Sequence, residues 1–165
     1  MKAISLWRPW PWAFFHAGKR IENRSWKPPD SIIGTWVAMH AAQRFDEDAG
    51  FRMLRGDFGA AAQALPIEHG TTAIKHPTGI VGAMFVAGRF EKDGARYGFH
   101  RNCDEVDALL RAGYASPWSF GPFCWLTPRV VELAEPIPCK GKQGLWTVPV
   151  EIAKVVEKRI EEEGT

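Results

Sequence analysis

The stretch Gly79–Phe90, GIVGAMFVAGRF, carries one charged residue, Arg89, and is otherwise apolar or glycine. Successive side chains of a strand point to opposite faces. A strand here would therefore be apolar on both faces, as in a closed barrel or a sheet covered on two sides. A half-exposed sheet would need polar residues at alternate positions, and these are missing.

Working outward toward the N-terminus, TWVAMHA (Thr35–Ala41) also reads as a strand, with Trp36, Ala38 and His40 on one face and Val37 and Met39 on the other. The opening AISLW (Ala3–Trp7) predicts a first strand, which Pro9 and Pro11 interrupt. WAFFHAG then predicts one or two helical turns ended by Gly18. From Lys19 the pattern suits a strand, with Arg20, Glu22 and Arg24 on one side and Ile21 and Asn23 on the other. Asp46, Glu47 and Asp48 suit a helix N-terminus, and Phe51, Leu54, Phe58 and Leu65 form a helical stripe. This predicts a helix over 46–65 that Pro66 ends, weakened by Gly50, Gly56 and Gly59.

Toward the C-terminus, 65–79 reads as irregular and 104–112 as a short helix carrying Val106, Leu109 and Leu110. SPWSFGPFCWL leads into a strand, and PRVVELAEPIPCKGKQGLW reads as strand, turn and a short element ending near Pro149. The final segment, 150–165, predicts an amphipathic helix with Ile152, Val155, Val156 and Ile160 as its stripe. Strands alternate with short helices, but the connections are too brief for a regular βαβ series. The expected class is α+β, a small mixed barrel with helices around it, in one domain spanning 1–165.

Composition narrows the function. The 165 residues include eight Trp and ten Phe, and the formal charge is +2. That charge is too mild to establish a nucleic-acid partner by itself. It is unevenly placed. Residues 1–44 hold seven basic and two acidic residues, a local +5, whereas 151–165 hold five acidic and three basic, a local −2. Cys103, Cys124 and Cys139 form no C-x-x-C pair, so neither a zinc site nor a disulfide framework is suggested, and no cofactor is expected. The cysteine usage fits a reducing cytoplasm. Arg8, Pro9, Pro11 and His16 interrupt the apolar N-terminus, which does not read as a signal peptide. No run is long enough to span a membrane, so no membrane partner is expected.

The chemistry-bearing segment is AGKRIENRSW (Ala17–Trp26), where three cations, a carboxylate and an amide fall within Lys19–Arg24. Arg8 stands just upstream. Cations hold phosphate, Arg bidentately and Lys as a point charge, and a carboxylate accepts from a base amine. The same residues also suit a solvated strand face in which charges neutralise one another. Trp7, Trp10, Trp12, Trp26 and Trp118 suit either base stacking or core packing: Trp10 and Trp12 read as core or helix-facing, and Trp26 and Trp118 are the better stacking candidates. His40, at the end of its strand, suits a general base or a base-edge partner, and Ser116 a loop contact to substrate. His16, His69, His76 and His100 show no metal-ligand spacing, and no metal site is expected.

Four motifs in order resemble the ASCH domain, a branch of the PUA-like superfamily. SLWRPW (Ser5–Trp10) is similar to its opening S-L-x-x-P-W, and GKRIENRSW (Gly18–Trp26) to its G-x-K-x-x-E-x-R signature. GIVGAMFVAGRF resembles the central strand, and GLW (Gly144–Trp146) the closing one. Ala17 stands where the signature has its first Gly. The resemblance implies a PUA-like β-barrel of five to six strands, with a helical insertion at 43–78 centred on 46–65. It also implies a cleft lined by Lys19, Glu22 and Arg24. Members bind nucleic acid, chiefly RNA, so RNA, single-stranded nucleic acid or a nucleoside is the implied partner. Some small members are amidohydrolases that deacylate a modified cytidine with a Lys and a Thr of the signature and a later Glu. Lys19 matches that Lys, Glu22 stands where they have Thr, and the later Glu has no placed match. Binding at Arg8, Lys19, Glu22, Asn23, Arg24, Trp26, His40, Ser116 and Trp118 is the primary expectation. The alternatives are a hydrolase of RNA or acylated cytidine using Lys19 and Glu22, and a protein-interaction module.

Overall fold

The computed structural model describes residues 1–66, 77–91, 111 and 115–163. The expected helix over 104–112 apart from Arg111, most of the irregular 65–79 segment, Cys103, His69, His76 and His100 lie outside the described residues. The chain divides into two compact units: one comprises Met1–Lys19, Val37–Ala83 and Val130–Thr165, the other Arg20–Trp36 and Met84–Arg129.

In chain order the elements are β1 (Lys2–Arg8), α1 (Trp10–His16), β2 (Ile21–Arg24), a single 3-10 turn (Asp30–Ile32), β3 (Thr35–Phe45), α2 (Glu47–Arg55) and α3 (Ala60–Gln63). They continue with β4 (Gly79–Val86), β5 (Gly88–Glu91), β6 (Phe123–Leu126), β7 (Arg129–Ile137), β8 (Leu145–Thr147) and α4 (Val150–Glu163). The class is α+β. The strands form a five-stranded sheet in the order β7-β4-β3-β1-β8 and a three-stranded sheet in the order β2-β6-β5. Neither order closes on itself among the described residues, so what is seen is two sheets rather than one barrel.

In the five-stranded sheet β1 runs parallel to β3, with Ala3 opposite Ala38 and Ser5 opposite His40. It runs antiparallel to β8, with Ala3 opposite Trp146. The first unit's core is built from β1 (Ala3, Ile4, Leu6), α1 (Ala13, Phe14), β3 (Val37–Met39) and β4 (Ile80, Ala83), all buried. β4 is buried on both faces along nearly its whole length, as its unbroken apolar run predicts. The GIVGAMFVAGRF run is nevertheless two strands. Ala87 belongs to neither, and β4 and β5 enter different sheets. In the three-stranded sheet β6 is central and antiparallel to both neighbours, with Glu22 and Arg89 each opposite Trp125.

The helix expected over 46–65 is two helices. Asp46 starts α2 as foreseen, its Oδ1 accepting from the backbone N–H of Ala49 at 3.0 Å. Gly56 then takes φ +93° and ends the helix in the left-handed conformation. Pro11 lies inside α1 rather than before it, in the first turn, where its missing N–H leaves no helical bond unmade. In α4 the buried positions are Ala153 and Val156, while Val155 of the expected stripe is exposed. No described helix is long and apolar enough to cross a membrane.

Candidate functional site

In the first unit, Lys19 follows the turn that closes α1, its backbone N–H donating to Ala13 O at 3.0 Å. The side chain folds back over the helix. Its Nζ lies 4.1 Å from the centroid of the Phe14 ring and 5.6 Å from that of Trp10. Lys19 is 1% exposed. An ammonium removed from water needs compensating partners, and the electron-rich ring faces supply part of this. Lys19 is thus a buried cation over aromatic faces, not the exposed phosphate contact that a solvated strand would present. Trp10 is fixed in turn by its Nε1–H, which donates to Asp46 Oδ2 at 3.0 Å.

Arg8, at the end of β1, donates from Nη2 to Gln43 O. It lines a cleft with Trp12, Phe15, His16 and Glu132. At the same strand end, the Arg44 guanidinium stacks 3.7 Å from the centroid of the Trp7 ring, and Trp7 is 44% exposed. Arg44 was not among the expected site residues. It meets Trp7 because β3 runs parallel to β1 and their ends coincide, a pairing between residues 37 apart in the chain that no local pattern reveals.

His40 is buried. Its Nε2 lies 3.0 Å from Cys139 O. A carbonyl only accepts, so Nε2 carries the proton in this contact and Nδ1 is the acceptor. Nδ1 is buried without a hydrogen-bond partner in the protein. The ring meets Trp146 edge-on at 5.9 Å. His40 is packed within its unit, as a structural histidine is.

In the second unit, Glu22 and Arg24 share a side of β2, as alternation predicts. Arg24 Nε lies 2.8 Å from Glu22 Oε1, and Glu22 is 5% exposed. Burial pushes the pKa of the neighbouring Arg20 guanidinium below its ordinary value. Asn23 clamps the loop before β6. Its Nδ2 donates to Trp118 O at 2.8 Å, and its Oδ1 accepts from the backbone N–H of Phe120 at 3.1 Å and of Gly121 at 2.9 Å. The amide expected to read a ligand is engaged in holding this loop.

Ser116 Oγ accepts from the backbone N–H of Trp118 at 3.2 Å, a local turn within the same loop. Trp118 is buried at 4% exposure, so its ring is packed. Trp26 is half-buried and meets Trp125 edge-on at 5.0 Å. The structure thus joins Glu22 to Arg24, and Asn23 and Ser116 to the Trp118 loop. Lys19 belongs to the first unit and these residues to the second.

Among the described residues no group of three or more His, Cys, Asp or Glu is placed to hold a metal ion. Comparison with protein-family models and with curated proteins finds no match for this chain.

Proposed function

We propose that this chain is a nucleic-acid-binding domain that takes RNA or single-stranded nucleic acid on a cationic-aromatic surface of its first unit. The observation that carries the reading is the stacked Arg44–Trp7 pair at the end of β1 and β3. A half-exposed indole beside a guanidinium offers a base a stacking partner and a phosphate a charge. Stacking on an aromatic side chain is worth roughly 1–3 kcal/mol per base and tolerates any base. The local +5 of residues 1–44 supports the same reading, as does the resemblance to the ASCH domain. On that resemblance the two sheets are the parts of a PUA-like barrel, and the cysteine usage is that of a protein working in the cytoplasm.

The test is fluorescence anisotropy with short single-stranded RNA and DNA at low and moderate salt. Binding that weakens as salt rises, as phosphate contacts release their counterions, supports the reading. Absent binding, or binding indifferent to salt, contradicts it.

The burial of Lys19 favours a second reading. A buried amine between ring faces is suited to a reaction rather than to surface phosphate contact. A hydrolase of RNA or of an acylated cytidine would use it. Incubation with acylated cytidine and with single-stranded RNA, followed by mass analysis, separates the two readings. Product that disappears in Lys19→Met favours hydrolysis, and binding without product favours the first.

A further inference from the structure

A cleft of about 90 Å³ opens in the first unit between α1 and the strands β4 and β7, lined by Arg8, Trp12, Phe15, His16, Val81 and Glu132. Trp12, Phe15 and His16 lie on α1, outside the SLWRPW and GKRIENRSW motifs. Trp12 and Phe15 supply ring faces and edges, and the Trp12 ring meets the His16 ring at 5.6 Å with a 40° tilt. At the rim His16 Nε2 lies 3.2 Å from Glu132 Oε1, with both side chains nearly half exposed. This pair gives the cleft an acceptor carboxylate reachable from solvent and holds it in one place. Behind the Phe15 ring lies Gly82, where any Cβ would lie 2.6 Å from Phe15 Cζ.

We infer that this cleft takes the edge of one unstacked nucleobase bearing an exocyclic amine, and so gives the nucleic-acid surface a base preference. The inference rests on the reading of the chain as a nucleic-acid binder. Three features carry it. The cleft is small, about 90 Å³, which suits the edge of one ring. The walls are aromatic and apolar, as a π-face requires. The one carboxylate among the described residues of the lining, Glu132, accepts hydrogen bonds, and the amine of cytosine donates them whereas the O4 of uracil repels the carboxylate. Arg8, whose Nη2 donates to Gln43 O, also lines the cleft and adds positive charge there.

The test compares oligocytidine with oligouridine of equal length, whose bases match in ring size, and the free nucleosides cytidine and uridine. The proteins are the intact wild-type chain, Glu132→Ala and Trp12→Ala. Oligocytidine should bind about tenfold more tightly than oligouridine. Glu132→Ala should erase that preference, weakening oligocytidine binding and relieving the repulsion that oligouridine meets. Trp12→Ala should weaken both, and Trp12→Phe should restore part of the loss if the alanine variant folds poorly. A cytidine preference with the free nucleoside identifies the base alone as the ligand; one confined to the oligomer shows that the base is read within a strand. Both outcomes support the cleft. Tight oligomer binding with no preference, or a preference that survives Glu132→Ala, overturns the inference and leaves nucleic-acid binding standing. Absence of all oligomer binding by the wild-type protein overturns both.

Discussion

Asn23 and Gly121 are packed so closely that a Cβ on Gly121 would lie 2.8 Å from Asn23 Cβ, while Asn23 Oδ1 accepts the Gly121 backbone N–H at 2.9 Å. One amide side chain on β2 therefore fixes the loop that precedes β6. Asn23→Ala removes its three hydrogen bonds to the backbone of Trp118, Phe120 and Gly121 at once, and should lower unfolding stability by about 1–3 kcal/mol. Asn23→Asp keeps an acceptor but places a carboxylate oxygen against Trp118 O, so it should fall between alanine and wild type. Urea denaturation measures both, and an Asn23→Ala variant as stable as wild type would remove the clamp from the account.

Gly82 makes a second close approach, in β4. A Cβ there would overlap the backbone carbonyl oxygen of Val131 and lie 2.6 Å from Phe15 Cζ. Backbone in a paired sheet cannot step aside as a flexible side chain does. Gly82→Ala should be destabilising by about 1–3 kcal/mol through overpacking. The losses of Gly82→Ala and Phe15→Ala should be less than additive in the double variant, because the added methyl then meets no ring. Additive losses would contradict the steric contact with Phe15.

How much of this was readable in the residues depends on distance along the chain. Asp46 as a helix cap was legible because its partner, Ala49, is three residues away. The strand at Gly79 was legible because its apolar run is continuous. Its break at Ala87 was not, since the apolar pattern carries on into β5 while the strand pairings change from one sheet to the other. The pairing of Glu22 with Arg24 followed from strand alternation. The burial of Lys19 did not, because β2 starts only at Ile21 and the lysine, ahead of the strand, folds back onto α1. The role of Asn23 depends on groups 95 to 98 positions away, beyond any local pattern. Trp118, one of the expected stacking surfaces, is core because the same clamp holds its loop inward.

The Glu22–Arg24 pair should couple measurably. Glu22 is nearly buried and Arg24 about a fifth exposed, so solvent screens the pair less than a surface bridge. A double-mutant cycle of Glu22→Gln and Arg24→Ala should return a coupling of about 1–2 kcal/mol. Additive losses would show that the contact contributes no net stability.

Asp57 should contribute an acid-sensitive element. Its carboxylate accepts from Arg55 Nε at 2.8 Å and from Arg52 Nε at 3.4 Å. The hydrogen bond from Arg55 leads in holding its pKa below the ordinary 3.8, opposed by partial desolvation and aided by the charges of Arg55 and Arg52. A group with a depressed folded-state pKa binds protons more readily when unfolded. Its contribution is therefore present above about pH 4 and is lost as pH falls through the lower folded value. The stability gap between wild type and Asp57→Asn should be constant near neutrality and shrink on acidification below about pH 4. A gap unchanged down to about pH 2 would contradict this.

The most direct measurement of the central claim is the affinity of single-stranded RNA for wild-type protein, Trp7→Ala and Arg44→Gln at two salt concentrations. Both side chains are at the surface and their replacement leaves the core untouched. The account predicts that Trp7→Ala weakens binding about tenfold or more at either salt, the loss of one stacked base. It predicts that Arg44→Gln weakens binding mainly at low salt and flattens the salt dependence. RNA affinity that is absent in the wild type, or unchanged in both variants, would contradict it.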